Sequence, residues 1–468
     1  VNMDSIVEVT VNSILRNLDP HSVYIPPEEY AILSESMEGD FVGIGVSFYN
    51  IKDTIAVIRP LEGGPSAKAG ILGGDRILYA NGQQLFGKNL SNDSLMSILK
   101  GEVNSKVTLQ VYREGYPELL EFEVRRDHIP LKSVMAAYML TDELGYINID
   151  RFSETTYEEF KKALAKLKAK GATQLALDLR NNPGGYLIEA TNIADEFLKD
   201  DKLILITKNK NGAVEKTYAT EEGSFENGKV YVLINENSAS AAEILTGALQ
   251  DNDKGVIVGR RSYGKGLVQR EMALGDGSAV RLTIARYYTP TGRSIQKPYD
   301  NGNKAYFNDH QKRIKNGELV YEDSIPIVDS LKYVTPGGNI VYGGGGIVPD
   351  VFVPQDTSFE MGSLKFLLRS GFMNRFIFTV LEKDRNFYNS LTFEEFKDNQ
   401  PITNKIIQEF ERFMEEEGYR LEVSTYRDVL TKYLKATMAQ QLFGSNAFKQ
   451  IMNKNNKAIE KVIELSKK

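Results

Sequence analysis

Apolar and polar positions fall into several textures along this chain. Residues 4–18 (DSIVEVTVNSILRNL) carry apolar side chains at helical spacing. Pro26-Pro27-Glu28-Glu29 places proline and acids where a second helix begins, and Gly39 stands at its end. Short β-type runs follow (FVGIGVSFYN, TIAVIRP, DRILYANG, KVTLQVYREG), punctuated by Gly, Pro and Asn, with one short helix, SLMSILKG, among them. From residue 129 strands and helices alternate. LGYINIDRF reads as a strand, TYEEFKKALAKLKAKG as an amphipathic helix stopped at Gly171, and QLALDLRNNPGG as a buried strand running into a glycine loop. LIEATNIADEFL and residues 240–250 read as helices; KLILITKNK, KVYVLINENS, GVIVG and GKGLVQREMAL read as strands. Such alternation predicts an α/β sheet, with sites at loops beyond the carboxyl ends of its strands. Residues 297–342 are polar and irregular and read as an insertion, and 359–468 are almost wholly helical in pattern.

The 468 residues exceed what one hydrophobic core organises, which predicts two to four domains. No run of about 18 apolar residues occurs, so no membrane-spanning helix is expected. The chain opens on Val1 without an apolar leader, so any signal segment is absent from it. There is no Cys, which excludes disulfides, thiolate metal sites and Cys nucleophiles. The three His (His21, His128 and His310) are scattered, so neither a His-rich metal site nor a Ser-His-Asp triad has local support. No metal or cofactor is expected. A net charge of -6 carries no basic footprint for nucleic acid.

Ser240-Ala241-Ala242-Glu243 spells a capping box, so Ser240 is by itself a helix start. Downstream, Gly259 to Gly266 (GRRSYGKG) reads as most of a phosphate-binding P-loop. Gly266 stands where Ser or Thr is required, and a strand pattern follows where a helix is required, so nucleotide hydrolysis remains the second reading. Lys265 between two glycines in an α/β core asks for another task. With His scarce, a buried neutral Lys is the natural base for a Ser nucleophile. Gln269, four residues on, lies on the same strand face and can aim it. The Ala241 amide, at a helix start, is a free oxyanion donor, and Gly184 or Gly185 of RNNPGG could be the other.

GIGV (Gly43, Ile44, Gly45 and Val46), GGPSAKAGILGGDRILYANGQQL and the helix NDSLMSILKG together resemble a PDZ domain, in which loop amides hold a peptide's terminal carboxylate and the peptide adds as a strand. LDLRNNPGGYL, VLINENSASAAEILTGALQDN, VGRRSYGKGLVQ and YYTPTGRSIQ, in that order behind the PDZ-like region, resemble the carboxy-terminal processing (tail-specific) serine proteases. LDPHSVYIPPEEY is similar to the stretch ahead of their PDZ domain. The resemblance implies Ser240, the second Ser of S-A-S, as nucleophile, Lys265 as base 25 residues later, Gln269 as orienting member, and Ser238 as a loop neighbour. It implies oxyanion donors at Ala241 and at Gly184 or Gly185. The expected fold class is multidomain α/β: an N-terminal helical segment (1–39), a PDZ-like β-rich domain (40–127), an α/β serine-protease core (128–358, with the 297–342 insertion) and a helical C-terminal region (359–468). Expected partners are proteins with exposed apolar C-terminal tails, met outside the cytoplasm in a bacterial periplasm or envelope. The terminal helices either pack on their own core or form a homodimer. A scaffold that binds peptides without cleaving them is the third reading.

Overall fold

A computed structural model describes residues 3–356, 362–399 and 401–468. The chain forms two compact units. One comprises residues 1–39, 132–355 and 456–468; the other comprises 40–131 and 356–455.

The first unit is built on a six-stranded sheet ordered Val134–Met139, Leu144–Ile149, Gln174–Asp178, Lys229–Ile234, Gly255–Gly259, Val351–Phe352. The first pair is antiparallel and the others are parallel. Its central strands are buried on both faces, which explains their near-continuous apolar spelling. Ile147, Ile149, Leu175, Leu177, Val230, Val232 and Ile234 face one core with the helices Thr156–Ala169, Leu187–Asp195 and Ala241–Asp251. Tyr146, Ala176, Tyr231 and Leu233 face the other way, onto Ala458, Ile459 and Val462 of the last helix, Lys457–Ser466. A second, antiparallel sheet runs Val23–Ile25, Ala279–Tyr288, Leu203–Asn209, Val214–Tyr218, with Leu267–Ala273 also on Ala279–Tyr288. The opening helices are Met3–Leu15 and Pro27–Glu38, the latter closed by Gly39 at φ 84°. The insertion holds two short helices, Asn303–Phe307 and Asp309–Lys315, and a hairpin of Lys332–Val334 and Ile340–Tyr342.

The second unit contains a sheet ordered Val46–Ile51, Thr54–Pro60, Arg76–Ala80, Lys106–Tyr112, Leu120–Arg125, with the helix Asn92–Leu99 closing its core. Val46–Ile51 is an edge strand. Val46 and Phe48 pack toward that core, while Tyr49 and Ile51 face the opposite side. There the fully buried Phe378, from the helix Phe372–Glu382, packs against Ile51, Ala56 and Ile58. Arg76 adds an ion pair to Glu382 at 2.6 Å and sits over the Phe378 ring. The remaining helices of this unit, out to Ser445–Asn453, share their own apolar core.

Candidate active site

Three loops leave the carboxyl ends of neighbouring parallel strands: 179–186 after Gln174–Asp178, 235–240 after Lys229–Ile234, and 260–266 after Gly255–Gly259. Side-chain amides tie the first two together. Asn235 Oδ1 accepts from the Asn181 amide at 2.9 Å, and Asn235 Nδ2 donates to Asn181 Oδ1 at 2.9 Å.

Ser240 and Ser238 part company here. Ser238 is buried, and its hydroxyl donates to the Leu179 carbonyl at 2.8 Å. Ser240 keeps some exposure and takes φ 55°, ψ -116°, a conformation that costs a non-glycine residue of order 1–3 kcal/mol. The Glu243 half of the capping box forms, but the Ser240 side chain makes no cap hydrogen bond: the Glu243 N–H donates to the Ser240 carbonyl at 2.8 Å instead, and the turn is sharper than an ordinary helix start. Neighbours over-determine it. The Ser240 N–H donates to Glu243 Oε2 at 2.9 Å, the Tyr287 hydroxyl donates to the Ser240 carbonyl at 3.2 Å, and the Ala239 N–H donates to the Asn182 carbonyl at 2.9 Å. A strained serine on a strand-to-helix turn is the arrangement that exposes a nucleophile's Oγ. Ala241 opens the helix, so its N–H has no carbonyl four residues back within it.

The glycine loop lies against this turn. A Cβ on Gly184 would stand 2.8 Å from Ser240 Cβ and 3.0 Å from the Ala241 nitrogen. The Gly184 N–H is already spent on Asn182 Oδ1, at 2.8 Å. Gly185 forms a parallel bridge with Phe152, made by the Phe152 N–H to the Gly184 carbonyl at 2.9 Å and the Tyr186 N–H to the Phe152 carbonyl at 2.8 Å. In that pattern the N–H of Gly185 itself points away from the bridge.

Lys265 precedes the strand Leu267–Ala273 rather than lying on it, so the period-two argument for Gln269 does not apply as spelled. The contact is made nonetheless, helped by a bulge at Val268/Gln269: Lys265 Nζ donates to Gln269 Oε1 at 2.7 Å. Gln269 Nε2 donates to the His21 carbonyl at 2.8 Å, which fixes the amide with its oxygen toward the lysine. Burial, and then the Arg281 guanidinium, push the Lys265 ammonium down to about 8. No hydrogen bond joins Ser240 Oγ and Lys265 Nζ among the described residues; such bonds often tighten only when substrate is present.

Glu243 was legible only as a cap, and its place here is larger. It is fully buried, and its two oxygens take four donors. Oε1 accepts from Ser262 Oγ at 2.5 Å and the Gly264 N–H at 2.7 Å. Oε2 accepts from the Ser240 N–H and the Lys265 N–H, each at 2.9 Å. Burial pushes this carboxyl up, while the hydrogen bonds oppose the shift and favour the anion. His21 also reaches the site, through its main chain. Its ring is 2.8 Å from the Tyr306 hydroxyl, and burial with the Lys265 charge pushes it down to about 3, so it stays neutral. The glycine-flanked lysine loop runs into a strand, so no helix N-terminus follows it as a P-loop requires.

In the second unit, the Ile44 and Gly45 carbonyls accept from the Ser66 and Leu61 amides at 3.0 and 2.9 Å. Gly45 has φ 72°, and a Cβ there would stand 2.9 Å from the Ile129 side chain. Gly43 ends one short strand and Val46 opens the edge strand.

Residues 143–301 match peptidase family S41, residues 42–124 match the PDZ domain, and residues 363–444 match a family of unknown function (DUF8443). The carboxy-terminal-processing protease of Bartonella bacilliformis is 36% identical over 295 residues, which cover 62% of this chain and 67% of that protein. The chain belongs to peptidase family S41. The carboxy-terminal processing protease CtpB of Bacillus subtilis is 34% identical to this S41 peptidase over 303 residues, covering 64% of the chain and 62% of the relative. Among solved structures, a photosystem II D1 C-terminal processing protease is 26% identical, with a TM-score of 0.39, over 75% of this chain and 83% of that one. By family the S41 peptidase is thus a carboxy-terminal processing serine protease with a PDZ domain, on a multidomain α/β fold with a helical C-terminal region. Among the described residues no helix is long and apolar enough to cross a membrane.

Proposed function

We propose that this peptidase is an endopeptidase that cleaves proteins near their C-termini with a Ser240/Lys265 dyad. The observation that carries the reading is the shared carboxylate: one oxygen of Glu243 accepts from the backbone amides of both residues. Ser240 Oγ attacks the scissile carbonyl carbon while neutral Lys265 takes the hydroxyl proton. Gln269 Oε1 aims the lysine. The carbonyl π-electrons move onto oxygen, where the N–H groups of Ala241 and Gly185 donate to the oxyanion. Gly185 is favoured over Gly184 because the Gly184 amide already serves Asn182. Collapse of the intermediate breaks the C–N bond, and Lys265 returns the proton to the leaving amine. Water, deprotonated by the same lysine, then frees the acyl group.

The PDZ loop, Gly43–Val46, would receive the substrate's terminal carboxylate, with the tail added to the edge strand Val46–Ile51. An apolar tail suits the apolar core that Val46 and Phe48 help to line. The site of action is extracytoplasmic, in a periplasm or cell envelope. A homodimer through the terminal helices belongs to the same reading. The first helix supports it, with Ile6, Val7, Val9 and Ile14 exposed, whereas the last helix buries its apolar face on its own core. Binding of a peptide with a free apolar C-terminus, lost on amidation of that terminus and on Gly45→Val, tests the PDZ role. Equal binding of the free and amidated peptides would contradict it.

A further inference from the structure

The loop 260–266 has no secondary structure of its own, so its backbone groups must find partners elsewhere. Glu243 takes two of its N–H groups, Gln296 Oε1 accepts from the Gly266 N–H at 2.8 Å, and the Tyr287 hydroxyl donates to the Lys265 carbonyl at 2.8 Å. The carbonyls ahead of the lysine are served by the insertion. Arg313, buried in the helix Asp309–Lys315, donates to three consecutive carbonyls: Arg261 at 3.2 Å, Ser262 at 2.8 Å and Tyr263 at 3.2 Å. Its Nε is held by Asp309 Oδ2 at 2.9 Å. Arg261 is itself clamped by Glu318 of the insertion, with both bonds at 2.7 Å.

Lys297 continues the pattern. Its N–H donates to the Gly264 carbonyl at 3.0 Å. Its ammonium lies 3.8 Å from the Tyr263 ring centroid and 4.3 Å from that of Tyr306. Tyr306, also of the insertion, meets the His21 ring at 2.8 Å, and the His21 carbonyl is what orients Gln269. Residues of the 297–342 segment therefore hold the four carbonyls just ahead of the base and brace the His21 residue that orients its amide acceptor, while the base's own N–H and carbonyl are held by Glu243 and Tyr287.

We propose that this insertion is the positioning element for Lys265 and that Arg313 is its principal positioning residue. The inference rests on the reading of Lys265 as the base. A planar guanidinium with five donors can span three carbonyls that a lysine cannot. Without it the loop relaxes, and the ammonium gains water and loses its aim.

The test measures kcat and KM from pH 6 to pH 11 on an unstructured protein with a free apolar C-terminus. It compares wild type with Lys265→Ala, Arg313→Ala, Arg313→Lys and Asp309→Asn, each checked for its thermal midpoint. Arg313→Ala should lower kcat by roughly 10²-fold, the cost of a misplacement of about 1 Å, with KM within about two-fold. The acid limb of its kcat profile should move up from about 8 toward the ordinary lysine value. Arg313→Lys and Asp309→Asn should fall between, and guanidinium ion at low concentration should restore part of the activity of Arg313→Ala and none of that of Lys265→Ala. If Arg313→Ala does not fold, Arg313→Lys and Asp309→Asn carry the same readouts. Folded Arg313 variants with a wild-type kcat, or a loss proportional only to unfolded protein with the acid limb still near 8, would overturn the inference while leaving the dyad intact. An active Lys265→Ala would remove the dyad, and the inference with it.

Discussion

Four donors converge on the Glu243 carboxylate, and two of them are the amides of Ser240 and Lys265. Glu243→Gln would turn an NH2 group toward an N–H and leave a buried donor unpaired, which costs about 1–3 kcal/mol. The expected outcome is a lower thermal midpoint together with a fall in kcat beyond what the unfolded fraction explains. Lys265 makes a sharper prediction, because its folded value is depressed to about 8 by burial. Below that pH the lysine is charged in both states, and the folded state bears the cost of burying it. Above it the folded lysine is neutral while the unfolded one stays protonated, so stability rises with pH up to the ordinary lysine range. Lys265→Met should therefore raise the melting temperature at pH 7 while abolishing cleavage, and the gain should shrink above pH 8. Arg281 also lowers the lysine, so Arg281→Gln should move the acid limb of the rate profile to higher pH. At this scale the sequence was informative where chemistry has a spelling. Lys265 drew notice by its residue type between two glycines, whereas Ser240 by itself spelled a helix start and was assigned only through the family resemblance, and Gln269 was placed by a strand-face argument that the structure does not follow. Glu243 spelled only a cap, and His21 acts through a carbonyl 248 positions from Gln269, which no side-chain pattern records.

The two glycines after Pro183 differ in what they prevent. Gly184 at φ 103° leaves room for Ser240 and Ala241, whereas Gly185 at φ 143° sits where a Cβ would strike the Phe152 carbonyl at 2.1 Å. Gly184→Ala should cost most of the activity and some stability, since at its positive φ a methyl would meet Ser240 Cβ, the Ala239 carbonyl and the Ala241 nitrogen. Gly185→Ala should lower stability more, through the broken bridge to Phe152. Thermal melts alongside turnover separate the two. The central strands were readable as short apolar runs bounded by turn residues, and the longer helices because period 3.6 repeats several times within them. The insertion was not, since its helices have 5 and 7 residues, too short for a periodic signal, and their task is polar bracing rather than burial of a face.

For the chain as a whole, the sequence separated a PDZ-like region from a helical C-terminal region, but their union in one unit could not be read. It depends on Phe378 filling a gap behind Tyr49, Ile51, Ala56 and Ile58, a tertiary contact with no local signature. Phe378→Ala should cost that unit about 3–5 kcal/mol, read as a lower denaturant midpoint. The return of residues 456–468 to the first unit was equally hidden, because an amphipathic helix does not say which core it will cover. The most direct test of the dyad is cleavage of an unstructured protein with an apolar C-terminus, in the presence of a chelator, by wild type, Ser240→Ala and Lys265→Ala. Chelator-resistant cleavage by wild type alone is the predicted result; cleavage by Ser240→Ala at the wild-type rate would contradict it.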